Sequence, residues 1–156
     1  MKIKWKYLIP AVLIPLLVGA LSAFLTRGAM MSFDMVQKPP LSPPGWLFPV
    51  VWTVLYILMG VASYVIFTSA APDEIKNGAL AVYSLQLVFN FFWSIIFFGF
   101  EQYLFAFIWL LVLWILILVT IIRFYEISKV AAYLLIPYLV WVTFAAYLNL
   151  GIYLLN

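Results

Sequence analysis

The residues in this chain best able to act on another molecule are uncharged. Gln86, Asn90 and Trp93 are spaced by four and then three, so they share one helix face, and Ser94 extends it. Tyr138, Trp141, Ala145 and Leu148 follow the same periodicity near the C-terminus, with Asn149 beside them. Trp52 and Tyr56, four apart, stack on a third face. Amides, phenols and indoles in this pattern offer hydrogen bonds and broad rings. The chain has no histidine and no cysteine, which excludes disulfides, thiolate chemistry and the usual zinc, haem-ligating and imidazole sites.

If the three faces converge, they enclose a slot lined by aromatic rings with a few neutral hydrogen-bonding groups. Area burial and ring stacking would hold a large, flat, mostly apolar guest there, and an amide or indole N–H would orient it. A planar macrocycle with carboxylate tails fits, and so do a sterol, a quinone or a drug-like heteroaromatic. An amide in hydrocarbon needs a partner, so Asn90 is expected to face into the bundle. An interhelical hydrogen bond, averaging roughly 0.6 kcal/mol, accounts for Asn90 as readily as ligand contact does. Trp5, Trp109 and Trp114 read as interface anchors or lipid-packing side chains.

The elements that must carry these faces follow from composition. The chain has 156 residues, of which 69% are hydrophobic and 8% charged. A soluble domain of this length cannot hide so much apolar surface, so the solvent is lipid. Uncharged intervals run over 7–26, 39–72, 77–100, 102–122 and 130–156. Each holds one spanning helix of about 20 residues. Backbone groups in lipid must be satisfied internally, which makes these runs helical. The expectation is an all-α membrane protein, one domain over 1–156, a bundle of five transmembrane helices near 6–26, 45–70, 77–99, 102–124 and 130–154. Pro10 and Pro15 are expected to kink or pack the first helix, and Gly19 and Ala23 to admit a close neighbour.

No ionisable residue lies inside these spans. That argues against ion or proton coupling and against a general acid–base pair or activated nucleophile. Lys2, Lys4, Lys6, Lys76, Arg123 and Lys129 fall on the N-terminal side of a five-span chain, and only Arg27 and Lys38 on the other. This asymmetry places the N-terminus in the cytoplasm, with the first loop and the C-terminus outside a cell membrane. It reads as a topology signal, with no nucleic-acid surface.

The long first loop, 27–44, is expected to act as a lid. Pro39, Pro40, Pro43 and Pro44 stiffen it, and Arg27 and Lys38 stand ready to meet acidic groups of a guest.

The motifs resemble the TspO/translocator protein family, known as tryptophan-rich sensory proteins and peripheral benzodiazepine receptors. Gln37-Lys38-Pro39, Pro43-Pro44, Phe48, Val51-Trp52, Leu55-Tyr56 and Met59-Gly60 resemble the family's first loop and second helix. Asn90, Trp93-Ser94 and Phe97-Phe98 resemble its third helix; Pro137-Tyr138, Trp141, Phe144-Ala145 and Tyr147-Leu148-Asn149 resemble its fifth.

The resemblance implies a five-helix bundle, a homodimer, and a cavity under the first loop. It implies binding of porphyrins such as protoporphyrin IX and haem, as ligands and not required cofactors, and of isoquinoline carboxamide or benzodiazepine-type compounds. Ligand-binding residues carried over are Trp52, Tyr56, Asn90, Trp93, Tyr138, Trp141, Ala145 and Leu148, to which Gln86 is added from its place on the Asn90 face. Light-dependent porphyrin degradation, reported for some relatives, would fall to Trp52 and Trp141. The readings are thus a tetrapyrrole receptor or sensor, a photo-oxidative porphyrin-degrading enzyme, or a porphyrin or lipid transporter. Ser32 and Leu41 depart from the family pattern, which carries aromatic residues there. Gly78, Ala79 and Ala81 are the expected dimer contact.

Overall fold

A computed structural model describes residues 2–156. Five helical segments are long and apolar enough to cross a membrane: Trp5–Leu25, Leu47–Phe67, Asp73–Gly99, Tyr103–Tyr125 and Lys129–Leu155. The helices are α1 (Trp5–Leu25), α2 (Met30–Met35), α3 (Leu47–Phe67), α4 (Asp73–Ser94), α5 (Tyr103–Tyr125), α6 (Lys129–Leu134) and α7 (Ile136–Leu155). Their large side chains cover both the interior and much of the outside, as expected where lipid replaces water.

α1 lies along α3 because Gly60 lets the two backbones touch. A Cβ on Gly60 would sit 2.5 Å from Val12 Cα and 2.6 Å from the Ala11 carbonyl oxygen. Pro10 and Pro15 stay inside a continuous α1, Pro15 buried. α4 starts at Asp73, ahead of the expected position 77, since Pro72 precedes it and Asp73 and Glu74 complement its N-terminal dipole. Its C-terminal end widens into a π turn over Ile95–Gly99, where the Phe100 amide donates to the Ile95 carbonyl at 3.1 Å. The fifth span is broken at Leu135: Ser128 caps α6 by accepting from the Ala131 amide at 3.3 Å, and Pro137 sits in the first turn of α7.

The connection 27–44 is more ordered than a bare loop. It holds a 3₁₀ turn, Arg27–Ala29, and then α2. Leu41 adopts φ 70°, a left-handed conformation uncommon outside glycine and asparagine. The small residues of α4 do not form one outer face, because Ala79 is buried while Gly78 and Ala81 are exposed. Trp109 and Trp114 are also more than lipid anchors. The Trp109 indole N–H donates to the Phe89 carbonyl at 2.8 Å, and that of Trp114 to Thr143 Oγ1 at 2.8 Å. They tie α5 to α4 and to α7.

Candidate functional site

Trp52 is where the aromatic faces meet. Its ring centroid lies 5.6 Å from Tyr56, 6.5 Å from Trp93 and 6.2 Å from Tyr138, the last edge-on. These residues come from α3, α4 and α7, so the convergence joins three spans. Trp141 enters through Phe48, 5.9 Å away in an edge contact. Such separations lie in the favourable range for ring pairs.

Beside this cluster is a cavity of about 670 Å³, within the size range of small-molecule sites. Trp52 and Tyr56 line it from α3, Trp93 from α4, and Trp141, Ala145 and Leu148 from α7. The π turn aims Phe97 and Phe98 into the same wall; Trp93 stacks on Phe97 at 5.2 Å. α1 closes the remaining side with Gly19 and Ala23. Gly19 has no room for a side chain, because a Cβ there would fall within the Tyr56 ring. The close neighbour admitted by this small pair is thus a cavity wall ring.

Behind the wall runs a buried chain of hydrogen bonds. The Tyr56 hydroxyl donates to Asn90 Oδ1 at 2.8 Å, Asn90 Nδ2 to the Tyr138 oxygen at 2.7 Å, and the Tyr138 hydroxyl to Gln86 Oε1 at 2.7 Å. Asn90, Gln86 and Tyr138 are each 1% exposed and are absent from the cavity lining. Their position is that of supports for Tyr56 and Trp52. Trp93 is similarly held: its indole donates to Asn149 Oδ1 at 3.1 Å, and Asn149 Nδ2 donates to the Tyr103 carbonyl at 2.8 Å. One indole differs. Trp141 lines the cavity, yet its buried Nε1–H has no partner, the state of a donor awaiting an acceptor.

The lid is clasped at the far end of α7. The Gln37 amide donates to Asn156 Oδ1 at 3.1 Å, Asn156 Nδ2 returns a bond to the Gln37 carbonyl at 2.8 Å, and the Tyr147 hydroxyl donates to the Pro40 carbonyl at 2.6 Å. Pro39 packs on Gly151, where a Cβ would come within 2.5 Å of the proline ring. Of the expected lid residues, Arg27 and Lys38 reach the cavity, while Pro39, Pro43 and Pro44 shape the connection outside its lining. Arg27 donates to the Phe24 carbonyl at 2.6 Å and Lys38 to the Asp34 and Val36 carbonyls at 3.4 and 3.3 Å, which leaves two cations on the rim. Phe33 of α2 is buried against Phe48, Phe97 and Phe98 and plugs the mouth. Sequence reasoning missed it, for a residue in a six-residue helix has no periodicity to betray its facing.

A family model described as the TspO/MBR family matches residues 11–155. The chain is 42% identical to the tryptophan-rich protein TspO of Chlorobaculum tepidum over 86% of its length and 85% of that protein. It is 37% identical to the tryptophan-rich protein TspO of Archaeoglobus fulgidus over 96% of each. It is also 37% identical to the translocator protein of Bos taurus, over 90% of this chain and 86% of the other.

Proposed function

This chain belongs to the TspO/MBR family, and on that premise we propose that it is a membrane receptor or sensor for flat tetrapyrroles, with protoporphyrin IX or haem as ligand. The observation that carries the reading is the cavity itself: tryptophans from three spans surround about 670 Å³ of apolar space, with one unpaired indole donor and two cations at the rim. A porphyrin presents ring faces to Trp52 and Trp93 and carboxylates to Arg27 and Lys38, so each part of the site has a counterpart. Isoquinoline carboxamide and benzodiazepine-type compounds suit the same walls, with a carbonyl for the Trp141 N–H. Trp52, Tyr56, Trp93, Trp141, Ala145 and Leu148 are the contact residues in this reading; Gln86, Asn90 and Tyr138 hold them in place.

The protein sits in the cell membrane as a homodimer, with its N-terminus in the cytoplasm and the lid outside, the side assigned by the lysine and arginine asymmetry. The test is saturable quenching of tryptophan fluorescence by protoporphyrin IX in the dark. Trp141→Ala is expected to weaken binding at least tenfold; unchanged affinity overturns the site.

A second reading, light- and oxygen-dependent degradation of bound porphyrin, is favoured by the 6.5 Å approach of the Trp52 and Trp93 rings beside the space a porphyrin would fill. Trp52→Phe with Trp141→Phe should slow loss of porphyrin absorbance under illumination. A rate equal to that of free porphyrin in detergent removes this reading and leaves the receptor.

A further inference from the structure

A second cavity, also of about 670 Å³, lies on the outer flank of the bundle between α1 and α4, with α3 as its floor. It extends along α1 from Lys6 to Leu21, a rise of about 22 Å at 1.5 Å per residue. That length exceeds one hydrocarbon leaflet, about 15 Å, so an extended acyl chain can lie in it lengthwise. The walls along most of this length are aliphatic or aromatic, among them Ile14, Leu21 and Phe92, each well exposed.

The polar features are gathered toward one end. Lys6 stands at the mouth, in the first turn of α1. Ser63 and Tyr83 form the floor about one helical turn below the end of α3. Tyr83 is 6% exposed, and its hydroxyl has no hydrogen-bond partner. Ser63 lies beside it but gives its own proton to the Gly60 carbonyl at 2.9 Å. A buried phenol left in this state costs stability unless something outside the protein completes it. The same membrane face carries Lys2, Lys4, Lys6, Lys76, Arg123 and Lys129 against Asp73, Glu74 and Glu126, an excess of positive charge.

We infer that this groove binds one anionic phospholipid from the leaflet on the N-terminal side. Lys6 meets the phosphate, the Tyr83 hydroxyl donates to an acyl ester carbonyl, and the acyl chain fills the space between α1 and α4. The spacing matches: the ester of a glycerophospholipid lies below its phosphate by about one helical turn, as Tyr83 lies below the mouth. Positive charge selects the headgroup, and the buried phenol selects an ester-linked lipid over a free hydrocarbon. The site is separate from the tryptophan-lined cavity, so it stands or falls apart from tetrapyrrole binding.

The test uses the full chain reconstituted with equal phosphatidylglycerol and phosphatidylcholine, then stripped with detergent; retained lipid per protomer is measured by mass spectrometry. About one phosphatidylglycerol per protomer is expected, enriched over phosphatidylcholine. Lys6→Gln should cut the enrichment about fivefold, and Tyr83→Phe should cut retention of both lipids by a similar factor. Protoporphyrin quenching should stay at the wild-type level in both variants, which shows that they are folded. Equal retention of the two lipids by the wild type overturns the inference, as does full retention by both variants. An Ile14→Trp variant that converts a dimer to a monomer without losing lipid also overturns it, because a second copy would then be what covers the groove.

Discussion

Asn90 separates a wall residue from a residue that holds the wall. It accepts from Tyr56 and donates to Tyr138, at 2.8 and 2.7 Å, and it is absent from the cavity lining. Asn90→Ala removes both bonds and leaves two phenols short of a partner in hydrocarbon. Hydrogen bonds between membrane helices average about 0.6 kcal/mol and reach about 1.7, so the loss from two bonds is about 1–3 kcal/mol. Tyr56→Phe removes only one of them and should cost about 1 kcal/mol or less. A double-mutant cycle of the pair should return a coupling near 0.6 kcal/mol. Stability would be read from reversible unfolding in mixed detergent micelles, and affinity from quenching by protoporphyrin IX. Asn90→Ala should lower stability by the full amount but lower affinity only about threefold, through a Tyr56 ring no longer held. Trp141→Ala should do the reverse, losing at least tenfold in affinity with the bundle intact. If Asn90→Ala loses as much affinity as Trp141→Ala at undiminished stability, then Asn90 touches the ligand and the placement behind the wall is wrong.

Three further outcomes follow from contacts elsewhere in the bundle. Gly60→Val should cost more than 3 kcal/mol, since its Cβ meets backbone of α1 that cannot rotate away; Gly28→Ala, with nothing within 4 Å, serves as the neutral control in the same melting series. Combining Asn156→Ala with Tyr147→Phe removes the side-chain bonds that clasp the lid to α7, so stopped-flow dissociation of protoporphyrin should accelerate about tenfold, at roughly 1 kcal/mol for the net clasp. An unchanged rate would mean that the lid is not the exit barrier. Trp109→Phe keeps the ring stacked 4.4 Å from Phe89 but deletes its bond to the Phe89 carbonyl; unfolding should show a loss of about 1 kcal/mol with ligand affinity unaltered.

The bundle was legible because lipid makes few demands and makes them strictly. Charge must leave the hydrocarbon, and backbone groups must be satisfied within the segment, so the uncharged intervals 7–26 and 102–122 map closely onto α1 and α5. The ends shifted where local chemistry intervened, at the Pro72-Asp73 start of α4 and at the break before Pro137. Periodicity also picked out Trp52, Trp93 and Trp141 as facing inward with polar or aromatic company, and all three line one cavity.

Periodicity describes one helix, whereas burial is decided by pairs. Asn90 and Trp93 share a face by spacing, yet one stands behind the wall and the other on it. The Tyr56 ring covers the first, in space left by the missing Cβ of Gly19. The same reason hid the separate facing of Ala79 and Gly78, the hydrogen bonds made by Trp109 and Trp114, and the plug formed by Phe33. By itself, then, the sequence determined how many times the chain crosses the membrane and which rings turn inward. Only the tertiary structure decided which of them stand open to a guest, because that depends on the angle and distance at which each helix meets its neighbours.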